Sequence, residues 1–176
     1  MSNPYSPPDQ QEPAGQPASL ARQARGLQII TFAMAMGVLV FMGMCLVMNE
    51  GVLGEKPELL SWIGIGFAAI TFVTHLVLPG IVANATLKKR SGDNVRSAEE
   101  AMKFDLVVPA FRLRHIVTCA LLEGGAMLNL VAYLVTDYAG NLMAASVQLT
   151  MMLIRFPTAT RLQFWTQDRI REIEMR

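Results

Sequence analysis

Arg114-His115-Ile116-Val117-Thr118-Cys119-Ala120-Leu121-Leu122-Glu123-Gly124-Gly125-Ala126-Met127-Leu128-Asn129-Leu130-Val131-Ala132-Tyr133-Leu134-Val135-Thr136 begins on a basic pair and then runs apolar, with one carboxylate. A helix of about 20 such residues crosses the ~30 Å hydrocarbon core of a bilayer. Three further stretches read the same way, so the candidate spans are about 26–48, 59–84, 114–136 and 139–156. The fold class is all-α: a four-span transmembrane bundle built as two tandem hairpins, followed by an amphipathic helix over 158–176.

The 176 residues suggest one domain, and 52% hydrophobic with 16% charged is too apolar for a typical soluble one. Residues 1–21 carry Pro4, Pro7, Pro8, Pro13 and Pro17 among small and polar residues and read as a disordered cytoplasmic tail. No cleavable signal peptide is expected, so span one is an uncleaved anchor. Cys45 near the outer end of span one and Cys119 near the inner end of span three are too far apart for a disulfide. No Cys and His pattern suggests a metal, no cofactor is expected, and no motif points to nucleic acid, nucleotide or a hydrolytic triad.

Orientation follows from charge. Of fifteen Lys and Arg residues, only Lys56 falls in a connection expected outside. Arg22 and Arg25 precede span one, seven basic residues lie between spans two and three, and Arg155, Arg161, Arg169, Arg171 and Arg176 flank or follow span four. The other connections carry Glu50, Glu55, Glu58 and Asp137. The positive-inside rule puts both termini and the middle connection in the cytoplasm of a cell (plasma or inner) membrane. Trp62 and Tyr138 belong to the outer interface, with Trp165 and Arg155 at the inner one.

The two hairpins resemble each other. Arg25 to Gly37 laid over Arg112 to Gly124 matches Arg, Ile, Thr, Ala and Gly, and Glu123 then stands where span one has Met36. A tandem duplication explains this, as does the shared composition of apolar helices. Helices in lipid associate through small residues and cross-helix hydrogen bonds. Gly64, Ala68 and Thr71, with His75, form one stripe of span two. Thr118, Gly125, Asn129 and Ala132 form one of span three, and the two stripes are the expected seam. Pro79 is expected to kink or end span two.

The segment 85–113 reads as a long loop with a helix start at Ser97–Glu100. After Pro157, Leu162, Trp165, Arg169 and Ile173 recur at helical steps with basic residues between them. This predicts a helix lying on the membrane surface in preference to docking on a partner.

Glu123 lies nine residues beyond Arg114, about 13 Å into the layer. Carboxylates at such depth pair, take up a proton or face a polar cavity. His75 is the one intramembrane histidine, and a Glu123–His75 contact is the first expectation, although helical phase turns Glu123 away from the seam. Both are ion-handling candidates. The alternative is a carboxyl that hydrogen-bonds a neighbour and only stabilises the bundle.

Leu122-Glu123-Gly124-Gly125-Ala126-Met127-Leu128-Asn129-Leu130-Val131-Ala132-Tyr133-Leu134 resembles the carboxylate-bearing helix of the rotary ATPase proteolipid (c) subunit. The likeness is close over about 15 residues and loose over about 60. Span two lacks an extended glycine zipper, and the cytoplasmic connection is longer and without the family's Arg-Gln-Pro-type motif. The resemblance implies that Glu123 carries an ion. The residues themselves favour a structural, assembly or regulatory membrane protein, homo-oligomeric or part of a membrane complex, in contact with the lipid bilayer and not an enzyme. A proton- or cation-translocating subunit is the alternative.

Overall fold

The computed structural model describes residues 16–97 and 100–175, with the side chains of 20–88 and 102–175. The described residues form five helices: α1 (Gln16–Met48), α2 (Leu59–Ser97), α3 (Glu100–Thr136), α4 (Ala139–Ile154) and α5 (Ala159–Glu174). Three are long and apolar enough to cross a membrane, over Leu20–Met48, Leu59–Lys88 and Met102–Thr136. The count rises to four if α4 and α5, bent by 74°, serve as one broken span.

The helices run well past their apolar stretches. Residues 16–21, expected in the tail, open α1, and residues 1–15 of that tail lie outside the described residues. Leu20 and Ala24 pack against Val108 and Leu162. The expected loop 85–113 is helical apart from 98–99, which lie outside the described residues with part of the expected helix start. Good helix formers such as Ala, Leu, Lys, Arg and Met carry it, and Val107 and Ala110 anchor it on Leu87 and Ile170. Pro79 does not end α2, which continues to Ser97. Neighbouring helices support such a proline in a span. Pro79 has no N–H, so the carbonyl four residues back, on His75, loses its helical donor.

α3 is the axis of the molecule and packs against all four other helices, while α1 and α2 make no contact with each other among the described residues. The first hairpin is therefore not a packed pair; its two arms straddle α3. Half of the apolar window of α3 is buried (50%), against 22% in α1 and 17% in α2. The α1 side is apolar: Ala35, Val38 and Cys45 meet Leu122, Ala126, Leu130 and Tyr133 of α3 and Ala145, Leu149 and Met152 of α4. The α2 side carries the buried Asn129, Asn141 and Gln148.

Both short connections meet at one end of the bundle. Gly54 donates its N–H to Asp137 O (2.7 Å) and accepts from the Ala139 N–H (3.1 Å), and the Tyr133 hydroxyl donates to Val52 O (2.9 Å). α1 closes with Glu50 in the left-handed region (φ 52) while the N–H groups of Glu50 and Gly51 return to Val47 O and Leu46 O, a Schellman closure. At the opposite end, α5 turns its buried face, Leu162, Thr166 and Ile170, onto the extensions of α1, α2 and α3. The expected surface helix thus docks on its own chain. Its partner surface exists only because α1, α2 and α3 extend beyond their apolar stretches.

Candidate functional site: a polar seam and a separate carboxyl

The deepest polar groups line up between α2, α3 and α4. Asn129 donates from Nδ2 to Gly64 O (3.0 Å) and to Gly125 O (2.9 Å), and its Oδ1 accepts from Asn141 Nδ2 (3.0 Å). Asn141 Nδ2 also reaches Ser61 O (3.2 Å). One level outward, the hydroxyls of Ser61 and Thr136 are 2.9 Å apart. One level inward, Gln148 Nε2 donates to Thr71 Oγ1 (3.0 Å). Close approach is built in. A Cβ on Gly64 would stand 2.7 Å from Asn141 Nδ2 and 3.2 Å from the Ala132 methyl, and one on Gly125 would stand 2.7 Å from Thr71 Oγ1. Ala68 is buried on the same stripe of α2. Thr118, also buried, returns its hydroxyl to Arg114 O (2.9 Å) and does not reach across to α2 by a hydrogen bond.

Asn141 and Gln148 are the members that sequence reasoning overlooked. Their signal was available: Asn141, Gln148 and Arg155 recur every seven residues on an otherwise apolar helix, so they share one face.

His75 sits inward of the Gln148–Thr71 pair. It is 1% exposed and lies edge-on to Phe72 at 5.0 Å between ring centroids, and among the described residues neither ring nitrogen has a hydrogen-bond partner. The Oδ1 of Asn141 and the Oε1 of Gln148 likewise have none among the described residues. The seam is thus tied from helix to helix through amide N–H groups and keeps spare acceptors and an unengaged imidazole.

Glu123 is not part of it. The expected Glu123–His75 bond is absent, because Glu123 points to the α1 side: a Cβ on Gly37 would lie 3.9 Å from Glu123 Oε1 and 3.9 Å from the Met127 methyl. Its side chain is half-buried, and among the described residues no group hydrogen-bonds or ion-pairs with it. The histidine that does join α1 to α3 is His115. Its Nε2 is 2.8 Å from Thr31 Oγ1, which also reaches Leu27 O (2.9 Å), and 3.5 Å from Cys119 Sγ. Cys119 and Cys45 are both free and buried. Among the described residues no group of three or more His, Cys, Asp or Glu is placed to hold a metal ion.

At the ends of the helices, Trp62 is exposed on the first turn of α2, and Tyr138 is half-buried just before α4. Arg155 caps α4, and Trp165 packs on Phe111 (5.3 Å) between the guanidiniums of Arg114 (5.8 Å) and Arg169 (5.7 Å). Compared with protein-family models, curated proteins and solved structures, the chain matches none.

Proposed function

We propose that the chain is a four-span protein of the cell membrane with both termini in the cytoplasm, and that its role is structural or in the assembly of a membrane complex. Two observations support the even count: both short connections share one end, and α5 shares the other with the start of α1. α4 is the fourth span. Its 16 residues reach about 24 Å, and the interfacial Tyr138 and Arg155 make up the difference by snorkelling and local thinning. The segregation of Lys and Arg supports the orientation.

The observation that carries the role is the contrast between seam and carboxyl. Amide N–H groups tie α2, α3 and α4 into one rigid unit. Glu123 stands outside that unit, half-buried beside Gly37 with no hydrogen-bond or ion-pair partner among the described residues. A carboxyl at membrane depth requires a donor, and a second copy of the chain or another membrane helix supplies one. In mild detergent, the wild type and Glu123→Gln should migrate as the same oligomer on native gels. Glu123→Leu, which removes the hydrogen-bonding group, should shift to monomer. Monomer for the folded wild type at all concentrations, with nothing co-purifying, would overturn the assembly role.

The second reading is a proton- or cation-translocating subunit. The same unpartnered carboxyl favours it, as does the resemblance of α3 to the proteolipid carboxylate helix. It predicts ion flux that requires Glu123.

A further inference from the structure

The bend between α4 and α5 opens a cleft of about 220 Å³ against α3, at the end of the bundle where α5 docks. Three guanidiniums line it, from Arg114 on α3, Arg155 at the end of α4 and Arg161 in the first turn of α5. Phe111, His115, Thr118 and Trp165 complete the polar and aromatic part of the wall, and no carboxylate is among the lining residues. Among the described residues none of the three arginines has an ion-pair partner. Arg169 stands nearby against Trp165 but is engaged with Glu172.

Three like charges gathered without an ion-pair partner among the described residues repel one another, and specific contacts hold them there. Arg161 donates to Ile154 O (3.0 Å), which fixes its reach across the bend. Trp165 carries Arg114 on its ring face. The first turn of α5 also opens here, since Arg161 belongs to it and Thr158 caps only its N–H. The positive end of that helix adds to the field. Arginine forks match tetrahedral oxyanions in pairs of hydrogen bonds.

The surroundings decide the source of the anion. Leu113, Ile116, Leu153 and Ile154, the chain neighbours of the cleft residues, are exposed apolar side chains at 36–61%. In a membrane they face acyl chains. Basic pockets between spans on the cytoplasmic side are where anionic headgroups settle.

We propose that the cleft formed by Arg114, Arg155 and Arg161 at the α4–α5 bend binds the phosphate of an anionic phospholipid, with the acyl chains lying along the exposed apolar residues beside it. The lipid balances the charge of these arginines and holds α5 against the span region.

The test uses the full chain in mild detergent, with phosphatidylglycerol, phosphatidylcholine or inorganic phosphate added in turn. Retained lipid is read by native mass spectrometry and thermal stability by a melting scan. Wild type should retain phosphatidylglycerol at least tenfold over phosphatidylcholine and melt several degrees higher with it. Arg155→Gln and Arg161→Gln should each lose most of that preference, while Arg112→Gln and Arg171→Gln, which alter exposed arginines outside the cleft, should keep it. Arg161 is exposed, so Arg161→Gln folds and its result stands even if Arg155→Gln does not. Equal retention of the two lipids by the wild type, or full preference in folded Arg161→Gln, would overturn the site. A stabilisation by inorganic phosphate that equals that of phosphatidylglycerol and needs the same arginines would overturn the lipid as its source.

Discussion

An asparagine in an apolar layer brings two N–H bonds and a carbonyl oxygen that water cannot serve, and Asn129 engages all three groups, on three helices at once. Its amide donates to the backbones of α2 and α3 and accepts from Asn141 of α4. Replacing it with Leu leaves Gly64 O and the Asn141 amide short of partners, at a cost of about 1–3 kcal/mol. We therefore expect Asn129→Leu to lower stability by that amount in reversible detergent unfolding, with Asn141→Leu showing a similar loss and the double variant less than the sum of the two. Additive losses would mean that the two amides do not act as a pair. The small-residue stripes were legible in the sequence because Gly64, Gly125 and Ala132 recur at helical steps among large apolar residues. The contact expected between Glu123 and His75 was not formed, because depth alone does not say which face a residue occupies, and the helical phase that separated them proved the stronger guide.

Among the elements, α5 shows where composition misleads. Its apolar stripe with interspersed arginines suits a membrane surface as well as a protein surface, and nothing in its sixteen residues distinguishes them. What decides the matter is elsewhere: α1, α2 and α3 extend past their apolar stretches and present Leu20, Ala24, Leu87, Val107 and Val108 to Leu162 and Ile170. Those extensions looked like tail and loop because apolar periodicity stops there, although helix propensity does not. Leu162 is fully buried at this contact. Leu162→Asp should detach α5 and expose the chain after Pro157 to proteolysis, leaving the span region intact in a trypsin digest of membranes. An unchanged digestion pattern would mean that α5 is held by lipid and not by its own chain.

For the whole molecule, the ordering of helices around α3 could not be read from hydropathy, since four apolar stretches say nothing about who touches whom. α3 becomes the axis because its two faces differ. One is mainly apolar and receives α1; the other carries Gly125, Asn129 and Ala132 and receives α2, and α4 packs on both. Sidedness can be checked directly. Single cysteines at Lys56 and at Met175, placed in a chain whose Cys45 and Cys119 are replaced by Ala, should react with an impermeant maleimide from opposite sides of the membrane. Labelling from the same side would contradict the four-span topology. The role itself turns on Glu123. Purified wild type and Glu123→Gln, reconstituted in liposomes with a pH gradient and an internal pH dye, should show equal proton leak, no greater than that of empty liposomes. Flux through the wild type that disappears in a well-folded Glu123→Gln protein would contradict the assembly role and establish translocation through that carboxyl.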